Sequence, residues 1–384
     1  MGTHNAISLN LRRLRNAKAI SQEELAERAA LSRSAYRKIE GGQAQPRVNT
    51  LRAIAVALGV RTHDLVAPVR ELKAVRFRSQ KRLKSRGQIL AESGRWLSDF
   101  NEIEKLLEEK LKSGLVGFSF SGKPSMELVA QAARKTRERF GIDPDEPIRD
   151  ICGLLEAHGV KIGRVPVASS DFFGLSIGPA DGGPAIVVNT WERISVERWI
   201  FTAAHELGHL ILHLSDYDVS KTEESGEHEK QANAFAAEFL MPDSAFRKEW
   251  DETYGLSFID RVFKVKRIFR VSYRTVLYRL VSSGGASRDI WAKFQFDYKR
   301  RFQRSLLRDD EPEALIRDEF LASFPEHLGS GEPERLSGVD FPGDRLSRLV
   351  RNALEHGIIS LSRGAEILGR SLQEMRELST SWVA

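Results

Sequence analysis

A chain of 384 residues, 41% of them hydrophobic, is long enough for two or three domains with real cores, which excludes global disorder. Its net charge of +6 is unevenly spread: residues 1–90 hold 19 Lys/Arg against 6 Asp/Glu, so only the N-terminal part suits a polyanion partner. One cysteine, Cys152, excludes an internal disulfide framework, and the absence of a signal core or membrane-length apolar run makes a cytoplasmic protein the expectation, with no membrane partner.

Residues 8–66 break into short helices with clear punctuation. Ser21 and Glu24 are spaced as a capping box, with Leu25, Ala26 and Ala29 on one apolar face. After a tight turn at Ala30-Leu31, Ser32 caps a second helix that ends at Gly41-Gly42. Its apolar positions Ala35, Tyr36 and Ile39 leave Arg33, Ser34, Arg37 and Lys38 facing outward. Two helices joined by a short turn, the second with a cationic face, have the geometry that enters a DNA major groove. A small helical bundle with a solvated charged face shares that pattern.

The stretch SQEELAERAALSRSAYRKIEGGQAQPRVNTLRAIAVALGV resembles the Cro and phage-repressor (XRE) class of helix-turn-helix domain over about residues 8–66. The resemblance implies operator DNA as partner, Gln22 and Ser32 as phosphate contacts, and Arg33, Ser34, Arg37 and Lys38 as the base-reading surface. It also implies a homodimer, since one such unit covers few base pairs. Ala30 stands where the family usually has glycine, at a cost of about 1 kcal/mol if its φ is positive. Residues 70–86 follow with eight basic residues and one acidic, as a solvated connector or a phosphate-gripping arm.

Residues 88–140 read as amphipathic helices joined by a Gly/Ser-rich stretch at 114–125. From about residue 141 a helix leads to three strand-like runs, VKIGRVPV, FFGLSIG and PAIVVN, as in a compact α+β domain. The next helix holds FTAAHELGHLILH. His205 and His209, four apart, project from one face, so both imidazoles reach one metal ion. The bland alternative is a core helix with two histidines, but buried imidazoles need partners. A tetrahedral catalytic zinc needs a third protein ligand and an open position. His213 lies about 12 Å along the axis from His205, too far to share the ion. Glu229 is the better third ligand, because Asn233 sits one turn beyond it and can orient a histidine from behind. Glu227 and His228 flank it as rivals.

FTAAHELGHLILH followed by ExxANxFAAEFLMP resembles the ImmA/IrrE zinc metallopeptidases over about residues 141–285, with Phe239 in place of the usual leucine. The resemblance implies Zn2+ held by His205, His209 and Glu229, with Glu206 as general base and Asn233 behind the ligands. It also implies peptide hydrolysis, commonly of a helix-turn-helix repressor. The oxyanion donor is open, with Tyr217 and Tyr254 as guesses. FKVKRIFRVSYRTVLYRLVSSGG, capped at Ser272, and residues 360–378 repeat a helix-turn-helix rhythm and read as packing or docking helices rather than DNA contacts.

The expectation is a multidomain protein: an all-α helix-turn-helix domain at 1–68, a basic arm and helical connector at 69–140, an α+β zincin-like domain at 141–285 and a mostly helical region at 286–384. The function expected is a regulator that relieves repression by zinc-dependent cleavage of a repressor, in trans or in its own residues 67–126. The alternatives are a transcription factor whose peptidase-like domain is a non-catalytic sensor or dimerisation platform, and a peptidase whose N-terminal helices bind protein.

Overall fold

The structure, a computed structural model, describes residues 3–18, 20–66, 72–79, 85–115, 124–220, 225–307, 311–312 and 336–382. It divides into two compact units, Met1–Leu72 with Lys81–Asp99, and Lys73–Gln80 with Phe100–Ala384. None of the described helices is long and apolar enough to cross a membrane.

In the first unit α1 (Thr3–Ala17), α2 (Gln22–Arg28), α3 (Arg33–Glu40), α4 (Val48–Leu58) and α5 (Thr62–Val66) surround Leu11, Leu25, Tyr36, Ile54 and Leu65. Ser32 caps α3 by accepting from the Ala35 amide, as its position predicts. Only half of the expected capping box forms at α2. Ser21 accepts from the Glu24 amide, while the Glu24 carboxylate instead takes Arg28 at 2.6 Å, one helical turn away. Buried Glu40 at the end of α3 is held by both ends of the Arg15 guanidinium, at 2.9 and 2.8 Å, which fixes α3 against α1. Ala30, in the turn between α2 and α3, has φ of +53°.

In the second unit a four-stranded sheet has the order β1-β3-β4-β2. Its strands are β1 (Val75–Ser79), β2 (Lys161–Val165), β3 (Phe172–Ile177) and β4 (Ala185–Asn189). The last three are the expected apolar runs. β1 was not expected: it is cut from the basic stretch 70–86 and pairs antiparallel with β3, Arg76 opposite Ser176. Val75 and Phe77 are buried, so this stretch alternates as an edge strand despite its charge. The expected arm residues Lys81 and Arg82 lie outside the described residues, as does most of the Gly/Ser-rich stretch.

Helix α6 (Arg86–Leu106) runs from the first unit into the second, followed by α7 (Met126–Arg139) and α8 (Ile151–Ala157). The sheet packs on α9 (Val196–Leu212), which packs on α10 (Gly226–Leu240). Two glycines permit this closeness. A Cβ on Gly174 of β3 would meet Thr202 Cγ2 at 2.7 Å, and one on Gly208 of α9 would meet the Phe235 ring carbons from 3.0 Å. Helices α11 (Asp243–Glu252), α12 (Phe258–Phe269), α13 (Tyr273–Ser282) and α14 (Ile290–Phe302) complete the core, with Ser272 capping α13. Val262, Phe269, Val276 and Leu277 are buried there, so the helix-turn-helix rhythm of 263–285 serves packing. Helices α15 (Arg345–Glu355), α16 (Leu361–Ile367) and α17 (Leu372–Ser381) close the chain. Arg345 at the start of α15 is buried against Glu104, which Lys161 also holds at 3.1 Å.

The backbone at Ala30 predicts that Ala30→Gly stabilises the first unit by up to about 1 kcal/mol, less the added freedom of glycine in the unfolded chain. A lowered denaturant midpoint for that unit would contradict the strain argument. A second expectation concerns Glu156, buried beneath α15 with one oxygen on the Arg345 amide and the other without a hydrogen-bond donor among the described residues. Burial raises its pKa to about 7. The folded state thus binds this proton more tightly than the unfolded chain, and the penalty for ionisation grows from about pH 4.5 to 7. Glu156→Gln should raise the melting temperature at pH 8, by up to about 3 kcal/mol in stability, and leave it nearly unchanged at pH 5.

Candidate metal centre and DNA-reading helix

Helix α9 starts at Ser195, whose side chain accepts from the Arg198 amide, and His205, Glu206 and His209 are all fully buried along it. Glu229 arrives from the first turns of α10. Among the described residues His205, His209 and Glu229 form the one group whose ligand atoms converge, all within 4.8 Å of one another. His209 Nε2 is 3.1 Å from Glu229 Oε1, and His205 Nε2 is 3.5 Å from Oε2.

A chain of donors settles the protons on these rings. Pro124 has only a carbonyl to offer, so Gln231 Nε2 must donate to it at 2.8 Å. That leaves Gln231 Oε1 to accept from His213 Nε2, also at 2.8 Å. Burial lowers the His213 pKa to about 4, so its ring is neutral and its Nδ1 accepts from His209 Nδ1 at 2.9 Å. Burial likewise pushes the His209 pKa well below its ordinary value, so this ring too is neutral, with a lone pair at Nε2. Asn233 Oδ1 accepts from His205 Nδ1 at 2.9 Å, which turns the Nε2 of His205 toward His209 and Glu229. These two Nε2 atoms stand 2.9 Å apart. Two lone pairs at that distance need a positive charge between them, and with the Glu229 carboxylate they make the donor set that zinc takes in sites with one open position.

Glu206 faces the sheet. Ser176 donates to its Oε2 at 2.6 Å and accepts from the Tyr217 hydroxyl at 2.8 Å. Tyr217 is thus committed to supporting Glu206, which removes it as an oxyanion donor, and Tyr254 is 91% exposed beyond α11. Of the rivals to Glu229, Glu227 is exposed. His228 stacks on His213 at 4.2 Å and takes Arg76 Nη1 on its Nδ1 at 3.3 Å. His213, expected as a satisfied histidine behind the ligands, stands between His209 and Gln231, while Ser176, Gln231 and the place of Arg76 at this cluster are what sequence reasoning missed. Beside Asn233 a groove of about 1270 Å³ is lined by aromatic and cationic side chains, among them Phe173, Trp191, Arg193, Arg198 and Arg274. Its acidic members, Glu197 and Glu311, are both held by Lys266, at 2.9 and 3.0 Å.

In the first unit Arg33, Ser34, Arg37 and Lys38 are all exposed along α3, while Tyr36 and Ile39 are buried. Gln22, at the start of α2, is half-buried, and Ser32 is exposed at the α3 N-terminus. One cation is partly engaged, since Arg33 lies 3.2 Å from Glu23. Arg76 of the basic stretch is 10% exposed and sits at the metal-ligand cluster of the second unit, which withdraws it from the expected grip on the DNA backbone.

The family model of the helix-turn-helix domain matches residues 6–69, and that of the IrrE N-terminal-like domain, a family of M78 peptidases, matches residues 155–281. An uncharacterized HTH-type transcriptional regulator y4dJ of Sinorhizobium fredii is 37% identical over 71 residues, covering 18% of this chain and 92% of that protein. The chain therefore belongs to the helix-turn-helix transcriptional regulators and joins to that DNA-binding unit an IrrE N-terminal-like domain.

Proposed function

We propose that the chain is an operator-binding regulator whose IrrE-like unit is a zinc-dependent endopeptidase acting on a protein substrate, with a helix-turn-helix repressor as the substrate class. The observation that carries this reading is the pair of Nε2 lone pairs at 2.9 Å beside the Glu229 carboxylate, with Glu206 next to them in the same helix. A non-catalytic sensor has no need of a buried carboxylate at Glu206, whose burial is costly unless its charge is used.

When bound, zinc polarises the scissile carbonyl and lowers the pKa of water toward ~7. Glu206 takes the proton of the attacking water and delivers it to the leaving amine. Ser176 and, behind it, Tyr217 hold the Glu206 carboxylate in one orientation, so the base is positioned before substrate arrives. Asn233 and His213 hold the two ligand rings by their Nδ1 protons. The groove beside Asn233 admits an extended segment, and its cationic walls favour one carrying acidic side chains. Cleavage in trans is the version we favour, because residues 75–79 of the connector are paired into the sheet and not loose. The first unit would bind its operator as part of a homodimer, with Gln22 and Ser32 on phosphates and the outer face of α3 on bases.

His205→Ala, His209→Ala and Glu229→Ala should each strip most zinc from the purified chain. Glu206→Gln should keep zinc and lose activity by about 10²–10⁴-fold. Full zinc occupancy in Glu229→Ala would remove it from the ligand set, and unimpaired cleavage by Glu206→Gln would remove the general base. On the DNA side, Arg33→Ala or Arg37→Ala should cost about 1–3 kcal/mol of discrimination between operator and random duplex if the contact is bidentate to guanine. Equal losses on both duplexes, measured at one salt concentration, would make these residues phosphate contacts instead.

A further inference from the structure

Arg76 is placed by the register of its strand and by the contacts of its guanidinium. It stands opposite Ser176 in the antiparallel pairing of β1 with β3, and directly opposed residues project from the same face of a sheet. On that face Ser176 touches Glu206, so Arg76 emerges beside the carboxylate read above as the general base. Its guanidinium then extends to the metal-ligand cluster, with Nη2 3.7 Å from Glu229 Oε1 and Nη1 3.3 Å from His228 Nδ1.

The guanidinium has more to give than these contacts take. Its side chain is 10% exposed, and neither Nε nor Nη2 has a hydrogen-bond acceptor among the described residues. The distance to Glu229 is an ion pair too long for a hydrogen bond. Donors buried in this way are costly unless something accepts from them. A fixed cation with idle N–H groups beside a carbonyl-polarising centre is an anion site in waiting.

We infer that Arg76 is the oxyanion-stabilising residue of the peptidase unit. The inference rests on the endopeptidase reading for its substrate, not for the anion site itself. As the oxygen of water bonds to the scissile carbonyl carbon, the π pair of that carbonyl moves onto its oxygen, and the water proton goes to Glu206. Arg76 donates hydrogen bonds to the oxygen that has become negative and transfers no proton. On collapse the pair returns to form the new carbonyl, the C–N bond breaks, and Glu206 protonates the amine. Arg76 lies outside residues 155–281, the part of the chain that matches the IrrE-like domain. It comes on β1, in the segment Lys73–Gln80, whose chain neighbours on both sides, Met1–Leu72 and Lys81–Asp99, belong to the first unit. The donor is thus supplied to the peptidase by the chain segment interposed in the DNA-binding unit.

The test uses the full chain loaded with cobalt(II), whose visible absorption reports metal occupancy and the binding of inorganic phosphate, a tetrahedral anion, at the centre. Arg76→Met should hold cobalt within about twofold of the parent and bind phosphate at least tenfold more weakly. With zinc it should lose about 10²–10³-fold in kcat with KM little changed. Arg76→Lys, which keeps the charge but not the forked donors, should recover part of both losses. If Arg76→Met does not fold, Arg76→Lys must by itself weaken phosphate severalfold. Loss of cobalt in step with loss of phosphate would make Arg76 a residue that only positions Glu229, and would overturn the inference, as would unchanged phosphate affinity. If the parent cleaves nothing, the endopeptidase reading fails alone, because the phosphate and cobalt titrations still decide whether Arg76 forms an anion site.

Discussion

Two lone pairs pointed at one another across 2.9 Å set the terms for the whole second unit. Two ring nitrogens do not hold that arrangement on their own, and each ring is kept there by a partner on its far side. For His209 the restraint passes through His213 and Gln231 to the carbonyl of Pro124, so the residue just before α7 helps to orient a ring on α9. For His205 it is Asn233 on α10. The closeness of α9 and α10 at Gly208 and Phe235 brings those partners within reach, and the closeness of α9 and β3 at Gly174 brings Ser176 onto Glu206. Packing distances and protonation states are therefore one problem here: a larger side chain at either glycine would separate the groups that fix the protons.

Much of this was legible in the amino-acid sequence, for reasons that differ by residue. The spacing of His205 and His209, and of Glu229 and Asn233, is helical and local, so one turn of helix turns it into geometry. The caps at Ser32 and Ser272 are local in the same sense, and so is the outward face of α3. The half-formed cap at Ser21 shows where that logic stops: Glu24 had two partners available at helical range, and Arg28 took it. Long-range partners left no mark. Nothing local announces that Gln231 reaches Pro124, or that Ser176 lies under Glu206.

Strand β1 was hidden by its own composition. Between Lys73 and Arg86 the charge suggests a solvated arm, yet Val75 and Phe77 alternate with Arg76 at the period of a strand. Five residues are too few for that alternation to stand out against the charge around them, and the partner strand lies about a hundred residues away. The C-terminal helices posed a similar difficulty. Arg345 is buried on Glu104, which also takes Lys161, and a buried ion cluster of this kind costs desolvation that only its mutual geometry recovers. In sequence the three residues look like ordinary surface charges.

The chain path through β1 bears on how the helix-turn-helix and IrrE-like domains share one polypeptide. A flexible tether would raise the local concentration of the peptidase near an operator-bound target and leave its chemistry untouched. The segment here is not of that kind: residues 75–79 are hydrogen-bonded into the sheet, and Arg76 stands among the atoms of the metal-ligand cluster. Removing β1 would expose the edge of β3, an unpaired row of amides and carbonyls, and withdraw the guanidinium from Glu229 and His228. Cleavage within residues 75–79 would thus require the strand to leave the sheet first, which dismantles part of the centre that would cut it. Whatever the IrrE-like unit acts on, residues 75–79 are held as part of its sheet rather than offered to it as a loose segment.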